Sequence, residues 1–246
     1  MAQSVQIAEA EPSQSLHTPM QRRSFFKYAG ATAGATALVL AGCSKDDSEP
    51  ATAPVNVGSG DIGVLNYAYA LEQLEAAFYA AVRGGSYYTS LAATSAERLA
   101  LDDLYYHEVI HRDFLKAAIT AAAAGSIIPA LEVDFTTNAG YIDFTTRASV
   151  LNAARVFEDL GVAAYNGAAK YITDPKYLVL AGKIVSVEAR HAALIRDFIT
   201  EATFIGADVA RINTTALEIS REPAEIVSMV NNYLKDNSKL DVSGLK

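Results

Sequence analysis

Two Glu-x-x-His segments constrain this chain more than any other feature: Glu108-Val-Ile-His111 and Glu188-Ala-Arg-His191. Each sits in a long stretch of helical periodicity. Residues three apart on a helix share a face, so each segment aims a carboxylate and an imidazole at one spot. Two other helical stretches each place a glutamate in a matching position, Glu72 and Glu158. Two single glutamates and two Glu-x-x-His pairs are the ligand set of a carboxylate-bridged dimetal site inside a four-helix bundle. The histidines agree: of four in the chain, His107, His111 and His191 lie in or beside these segments, and only His17 lies elsewhere.

The first helix is expected from about Asp61 to Val82, with Asp61 as N-cap and Gly84-Gly85 as the stop. Leu65, Tyr69, Glu72, Ala76 and Tyr79 form its core seam. The second runs from about Ser95 to Ala124. Thr94 and Glu97 suggest a capping box, and the seam is Leu101, Leu104, Glu108, His111, Leu115, Ala118 and Ala122. Residues 125–145 carry Gly125, Pro129, Asn138 and Gly140 and read as a long connection. That length permits a crossover rather than a tight hairpin. The third helix runs from about Thr146 to Ile172, with seam Leu151, Ala154, Glu158, Gly161, Tyr165, Ala168 and Ile172. Asp174-Pro175 opens the fourth, which reaches about Ala202 along Leu178, Ala181, Val185, Glu188, His191, Ile195 and Phe198. The tail, 203–246, holds an extra helix within Glu222 to Leu234, and Asp236 to Lys246 is expected to fray.

The 246 residues carry a formal charge of −8, and only Cys43 is a cysteine. An acidic chain lacks the basic face that nucleic acid needs. One thiol excludes an internal disulfide framework and a thiolate metal cage. No Ser-His-Asp set, phosphate loop or basic stripe competes with the Glu/His constellation. Residues 1–43 read as a targeting segment rather than fold. Gln21-Arg-Arg-Ser-Phe-Phe-Lys27, with Arg22 and Arg23, resembles a twin-arginine export signal, and Leu40-Ala-Gly-Cys43 resembles a lipobox whose cysteine is lipidated. The alternative is a plain signal peptide with an incidental cysteine. Residues 44–59, polar with Pro50 and Pro54, read as a flexible tether.

Four seam carboxylates buried together repel one another and lose hydration, at several kcal/mol each. Two divalent cations cancel their charge, and two neutral imidazoles complete the shells. Mixed carboxylate and imidazole donors suit iron first and manganese second. Glu75 lies one turn beyond Glu72 and is either an additional ligand or a nearby or surface glutamate. His107, one turn before His111, is a packed histidine or a partner to the ligands. Tyr79 and Tyr165 read as core tyrosines with satisfied hydroxyls beside the site.

The halves repeat. Glu72-Gln-Leu-Glu-Ala-Ala-Phe-Tyr79 aligns with Glu158-Asp-Leu-Gly-Val-Ala-Ala-Tyr165, and Glu108–His111 with Glu188–His191. With these motifs in order, the chain resembles the ferritin-like superfamily over residues 60–202, and within it the exported, desiccation-related ferritin-like domain proteins, which carry a similar Leu-Glu-x-x-Glu-x-x-Phe-Tyr run. The resemblance implies an all-α, ferritin-like four-helix bundle with the crossover between helices 2 and 3. It leaves activity open, because that superfamily hosts iron storage, peroxide reduction, oxygen activation and manganese catalysis. One expectation is an exported, envelope-tethered dimetal protein acting on oxygen, peroxide or ferrous iron, as an oxidoreductase of ferroxidase, peroxidase or manganese-catalase type. The other is a non-enzymatic stress-protection bundle or scaffold, with structural metal or none.

Overall fold

A computed structural model describes residues 53–246, apart from 138 and 213. Arg22, Arg23 and Cys43 therefore lie outside the described residues. Strand β1 (Val55–Asn56) leads into helix α1 (Gly60–Gly84), a short helix α2 (Ser86–Ser90) and helix α3 (Ala96–Ala123). A long connection precedes helices α4 (Arg147–Ala168) and α5 (Pro175–Ile199); a short helix α6 (Pro223–Val230) and strand β2 (Leu240–Asp241) close the chain. The bundle is α1, α3, α4 and α5. The hairpin partners α1 with α3, and α4 with α5, make the most extensive contacts. Among the described residues, no helix is long and apolar enough to cross a membrane.

Helix ends depart locally from expectation. Ser59 precedes α1, and Asp61 instead accepts from Thr173 N at 2.6 Å, Thr173 Oγ1 at 2.9 Å and Asp174 N at 3.0 Å. That carboxylate clamps the first bundle helix to the α4–α5 turn. Ser95, rather than Thr94, caps α3 by accepting from Arg98 N. Glu97 is drawn off by Arg147, at 2.8 Å, since a guanidinium offers it two donors. Asp174 caps α5 with Pro175 at its first turn, as expected. Helix α4 tightens into a turn over Ala169–Tyr171, short of Ile172, and α5 stops at Ile199, short of Ala202. The seams also shift: Ile119 is buried where Ala122 was expected, and Leu178 stays 45% exposed while Ile184 is buried. Helix α2, between the glycine stop and α3, was not anticipated.

Helix α1 is buried on almost every side, because the connection wraps over it. Two side chains seven residues apart hold that wrap. Asn66 donates to Val57 O and Ser126 O and accepts from Ile128 N; Gln73 accepts from Leu131 N at 2.9 Å and donates to Pro129 O. Each amide satisfies backbone groups that a buried irregular segment could not otherwise pair. Beneath the wrap, Phe78 packs edge-on against Tyr79, Phe135 and Phe157.

Both terminal segments of the described structure correct the sequence reading. Residues 53–59, taken as the end of a tether, contain β1 and the buried Val57. Residues 236–246, taken as frayed, contain β2 and bury Leu240, Val242 and Leu245. The two strands pair in parallel, Val55 with Leu240 and Asn56 with Asp241. A polar composition hid three apolar residues whose burial needs a partner distant in sequence.

Gly167 explains how the tail lies so close to α4: a Cβ there would stand 1.7 Å from Arg221 O. Gly167→Ala is expected to destabilise the fold by roughly 1–3 kcal/mol in urea denaturation, through overpacking. Gly182 is a helical glycine with open space around it. Gly182→Ala should stabilise by about 0.5–1 kcal/mol.

Candidate metal centre

The site is assembled one residue per turn from the middle of all four bundle helices. Helix α1 brings Glu72, α3 brings Glu108 and His111, α4 brings Glu158, and α5 brings Glu188 and His191. The four glutamates are 0% exposed. His111 Nδ1 lies 3.4 Å from Glu72 Oε2, 3.4 Å from Glu108 Oε2 and 3.0 Å from Glu188 Oε1. His191 Nδ1 lies 3.0 Å from Glu108 Oε1, 3.2 Å from Glu158 Oε2 and 3.8 Å from Glu188 Oε2. Two groups result, Glu72-Glu108-His111-Glu188 and Glu108-Glu158-Glu188-His191, each with its donor atoms within 4.8 Å of one another.

The atoms divide without overlap. Glu72 Oε1 accepts from the Tyr165 hydroxyl at 2.5 Å, and Glu158 Oε1 accepts from the Tyr79 hydroxyl. The second oxygens of Glu72 and Glu158, both oxygens of Glu108 and of Glu188, and Nδ1 of each histidine are buried without a hydrogen-bond partner. Those orphans form two sets of four, with Glu108 and Glu188 giving one oxygen to each. One ring N–H can serve only one of the three carboxylates around it. Donors about 3 Å apart that converge on a point are what a cation with bonds of about 2.1 Å requires. The donor set therefore fits two carboxylate-bridged cations, and its lack of sulfur disfavours structural zinc.

The electrostatics carry the same message. Burial, and then the charge on Glu188, pushes the Glu72 and Glu75 carboxyls well above the ordinary range; burial pushes Glu158 up to about 8. Burial also acts on Glu108, but the imidazoles of His111 and His191 close beside it outweigh that and hold the carboxyl at about 2. The surrounding carboxylates overcome burial at His111, raising its imidazole to about 12, and raise His191 as well. Without cations, protons must balance this charge.

The residues read as accessory to the site resolve individually. Glu75 is 4% exposed, which removes the surface reading, and it belongs to neither four-donor group. A Cβ on Gly161 would stand 3.1 Å from Glu75 Oε1 and 3.4 Å from Glu188 Oε2. The glycine opposite Glu75 in the repeat thus makes the room for it. His107 is exposed, and its Nδ1 shares a 2.8 Å hydrogen bond with His191 Nε2, the nitrogen facing away from the carboxylates. With His107 Nδ1 as the acceptor, His191 carries its proton on Nε2 and leaves Nδ1 free to ligate. Tyr79 and Tyr165 each cross the bundle to the glutamate of the opposite half. Spacing along one helix could not reveal that reach, because it depends on how the hairpins face.

A family model described as a ferritin-like domain matches residues 60–201. No curated protein matches the chain.

Glu72→Gln is expected to lower bound metal clearly, by plasma emission counting, whereas Glu75→Gln changes it little. Equal losses would make Glu75 a ligand. In the metal-free protein, Glu158 keeps its proton up to about pH 8, while an unfolded glutamate releases it near 4.5. The raised histidines and the other raised carboxyls act in the same direction. Stability of the metal-free form should fall as pH rises from about 4.5 to 8, by roughly 1.4 kcal/mol per pH unit for each proton retained on folding. Glu108 opposes this only below about 4.5. Metal loading should reverse the slope at acid pH, where protons compete with the ions. Thermal unfolding with and without chelator measures both.

Proposed function

Because the chain belongs to the ferritin-like domain family and buries two interlocking four-donor groups, we propose that it is a di-iron protein, exported to the cell envelope, that reacts with dioxygen or peroxide or takes ferrous iron as substrate. The carrying observation is the division of eight orphaned polar atoms into two sets that share Glu108 and Glu188. Glu72 and His111 would complete one iron position, and Glu158 and His191 the other. Bound iron supplies the electron-transfer chemistry.

The chain's own residues supply the rest. Tyr79 and Tyr165 each occupy one oxygen of a terminal glutamate and leave a single oxygen to ligate. Glu108 and Glu188, with both oxygens free, would offer one oxygen to each position. Reduction of an oxygen species consumes protons. Glu75, close to Glu188, is the carboxyl placed to hold one, because burial raises it well above the ordinary carboxylate range. His107 and the partly exposed His111 bring the site close to solvent at the α3–α5 face, a polar approach for ferrous iron or peroxide. Apolar packing elsewhere keeps water away.

Export and membrane attachment rest on the motifs at Arg22-Arg23 and Cys43. A twin-arginine route moves folded proteins, so metal could be loaded before export, and a lipid on Cys43 would tether the domain to a membrane.

Metal analysis of the exported full chain should return close to two ions per chain, mainly iron. His111→Ala and His191→Ala should each weaken metal binding by ~10-fold or more and slow ferrous oxidation. Ferrous oxidation and peroxide consumption both no faster than in protein-free buffer, at full occupancy, would overturn the redox reading. The Arg22→Lys, Arg23→Lys double variant should remain in the cytoplasm, and Cys43→Ala should leave the membrane fraction. Unchanged fractionation of either would refute the corresponding motif.

A further inference from the structure

An apolar cavity of about 20 Å³ lies inside the bundle at one end of the metal centre. All four bundle helices line it. Ala68, Leu115 and Ile184 are in its wall, and each is four residues from a donor of the same group: Glu72, His111 and Glu188. The cavity is therefore one helical turn, about 5.4 Å along the axis, from that group. Tyr165, which donates to Glu72, forms part of the partition. The cavity extends to Ile172, Leu180 and Ala181, which are only partly buried and form its mouth.

The internal repeat shows why the gap exists at this end. Leu71 corresponds to Phe157, Ala168 to Val82 and Ala181 to Leu101. The larger residues are 0–1% exposed and fill the opposite end, where Phe157 joins the Phe78 cluster. The smaller ones line the cavity. Its wall is almost wholly apolar; the Tyr67 hydroxyl, buried and without a partner, is the exception among the wall residues apart from Tyr165, whose hydroxyl is committed to Glu72. A buried water needs two to four polar partners, and peroxide has a similar need. A small apolar diatomic has none.

We infer that this cavity is a dioxygen site and entry route serving the Glu72–His111 position. The inference rests on the di-iron reading for its consequence, though not for the binding itself. It names dioxygen, rather than peroxide, as the molecule arriving from this end.

Dioxygen is paramagnetic and serves as its own probe. Methyl-labelled full chain, stripped of metal and checked for helicity by circular dichroism, is compared under oxygen and nitrogen by NMR. Methyl relaxation at Leu71, Leu115 and Ile184 should be enhanced several-fold more than at Ile142 and Leu240, which are comparably buried elsewhere. Equal enhancement overturns the site. Ala181→Leu, which installs the residue found at the opposite end, should abolish the selective enhancement while two metals still bind. Leu71→Phe is the second variant should the first misfold. In the iron-loaded protein the same change should slow dioxygen consumption several-fold and leave peroxide consumption unchanged. Unchanged dioxygen consumption, with the enhancement lost, overturns the route. If the loaded wild type consumes no dioxygen, the dioxygen branch of the proposed function fails and the route with it, while the methyl relaxation still decides whether dioxygen binds.

Discussion

Five carboxylates share a space that excludes water. Glu72, Glu75, Glu108, Glu158 and Glu188 are each 0–4% exposed, and no packing of apolar side chains removes their mutual repulsion. An ionised carboxylate in such surroundings costs several kcal/mol unless an opposite charge or a proton accompanies it. The nearby structure follows from that cost. Two tyrosines take one oxygen each from the terminal glutamates, two imidazoles face the remainder, and Gly161 yields its side-chain volume to a fifth carboxyl. The aromatic packing and the wrapped connection hold these groups at distances they would not adopt unrestrained.

The site has an approximate two-fold symmetry inherited from the internal repeat, and its departures from symmetry are chemically specific. His191 has His107 behind it, whereas the corresponding neighbour of His111 is Val187. Glu75 faces Gly161 rather than another acid. One end of the centre is sealed by Phe157 and the other borders an apolar cavity. Two positions with the same four donor types are thus unequal in basicity, proton supply and access. Division of labour between them needs no difference in ligands.

What the sequence made legible was whatever repeats with the helical period. The four bundle helices and their order follow from 3.6-residue spacing, and the six Glu/His residues it singled out lie together between them. Contacts that depend on elements far apart in sequence were hidden. Asp61 looks like a cap because it opens a helix, yet the α4–α5 turn offers its carboxylate three donors. Residues 236–246 look frayed because their apolar residues are few and their partner strand lies at the opposite end of the domain. Glu75 could not be placed until its opposing glycine was seen to be across the bundle rather than merely aligned with it.

The pairing of Val55 with Leu240 spans 185 residues. During synthesis β1 is the first element of the described domain to be made, and it is the last to find its partner. Helical hairpins can form as they emerge, since their contacts are local, but the strand pair must wait for the intervening chain and closes the largest loop. Until then Val55 N and Val57 N lack their acceptors, Lys239 O and Asp241 O. Completion of this domain is consequently a late, whole-chain event, and a truncated or stalled product would hold its helices while leaving both strand edges open.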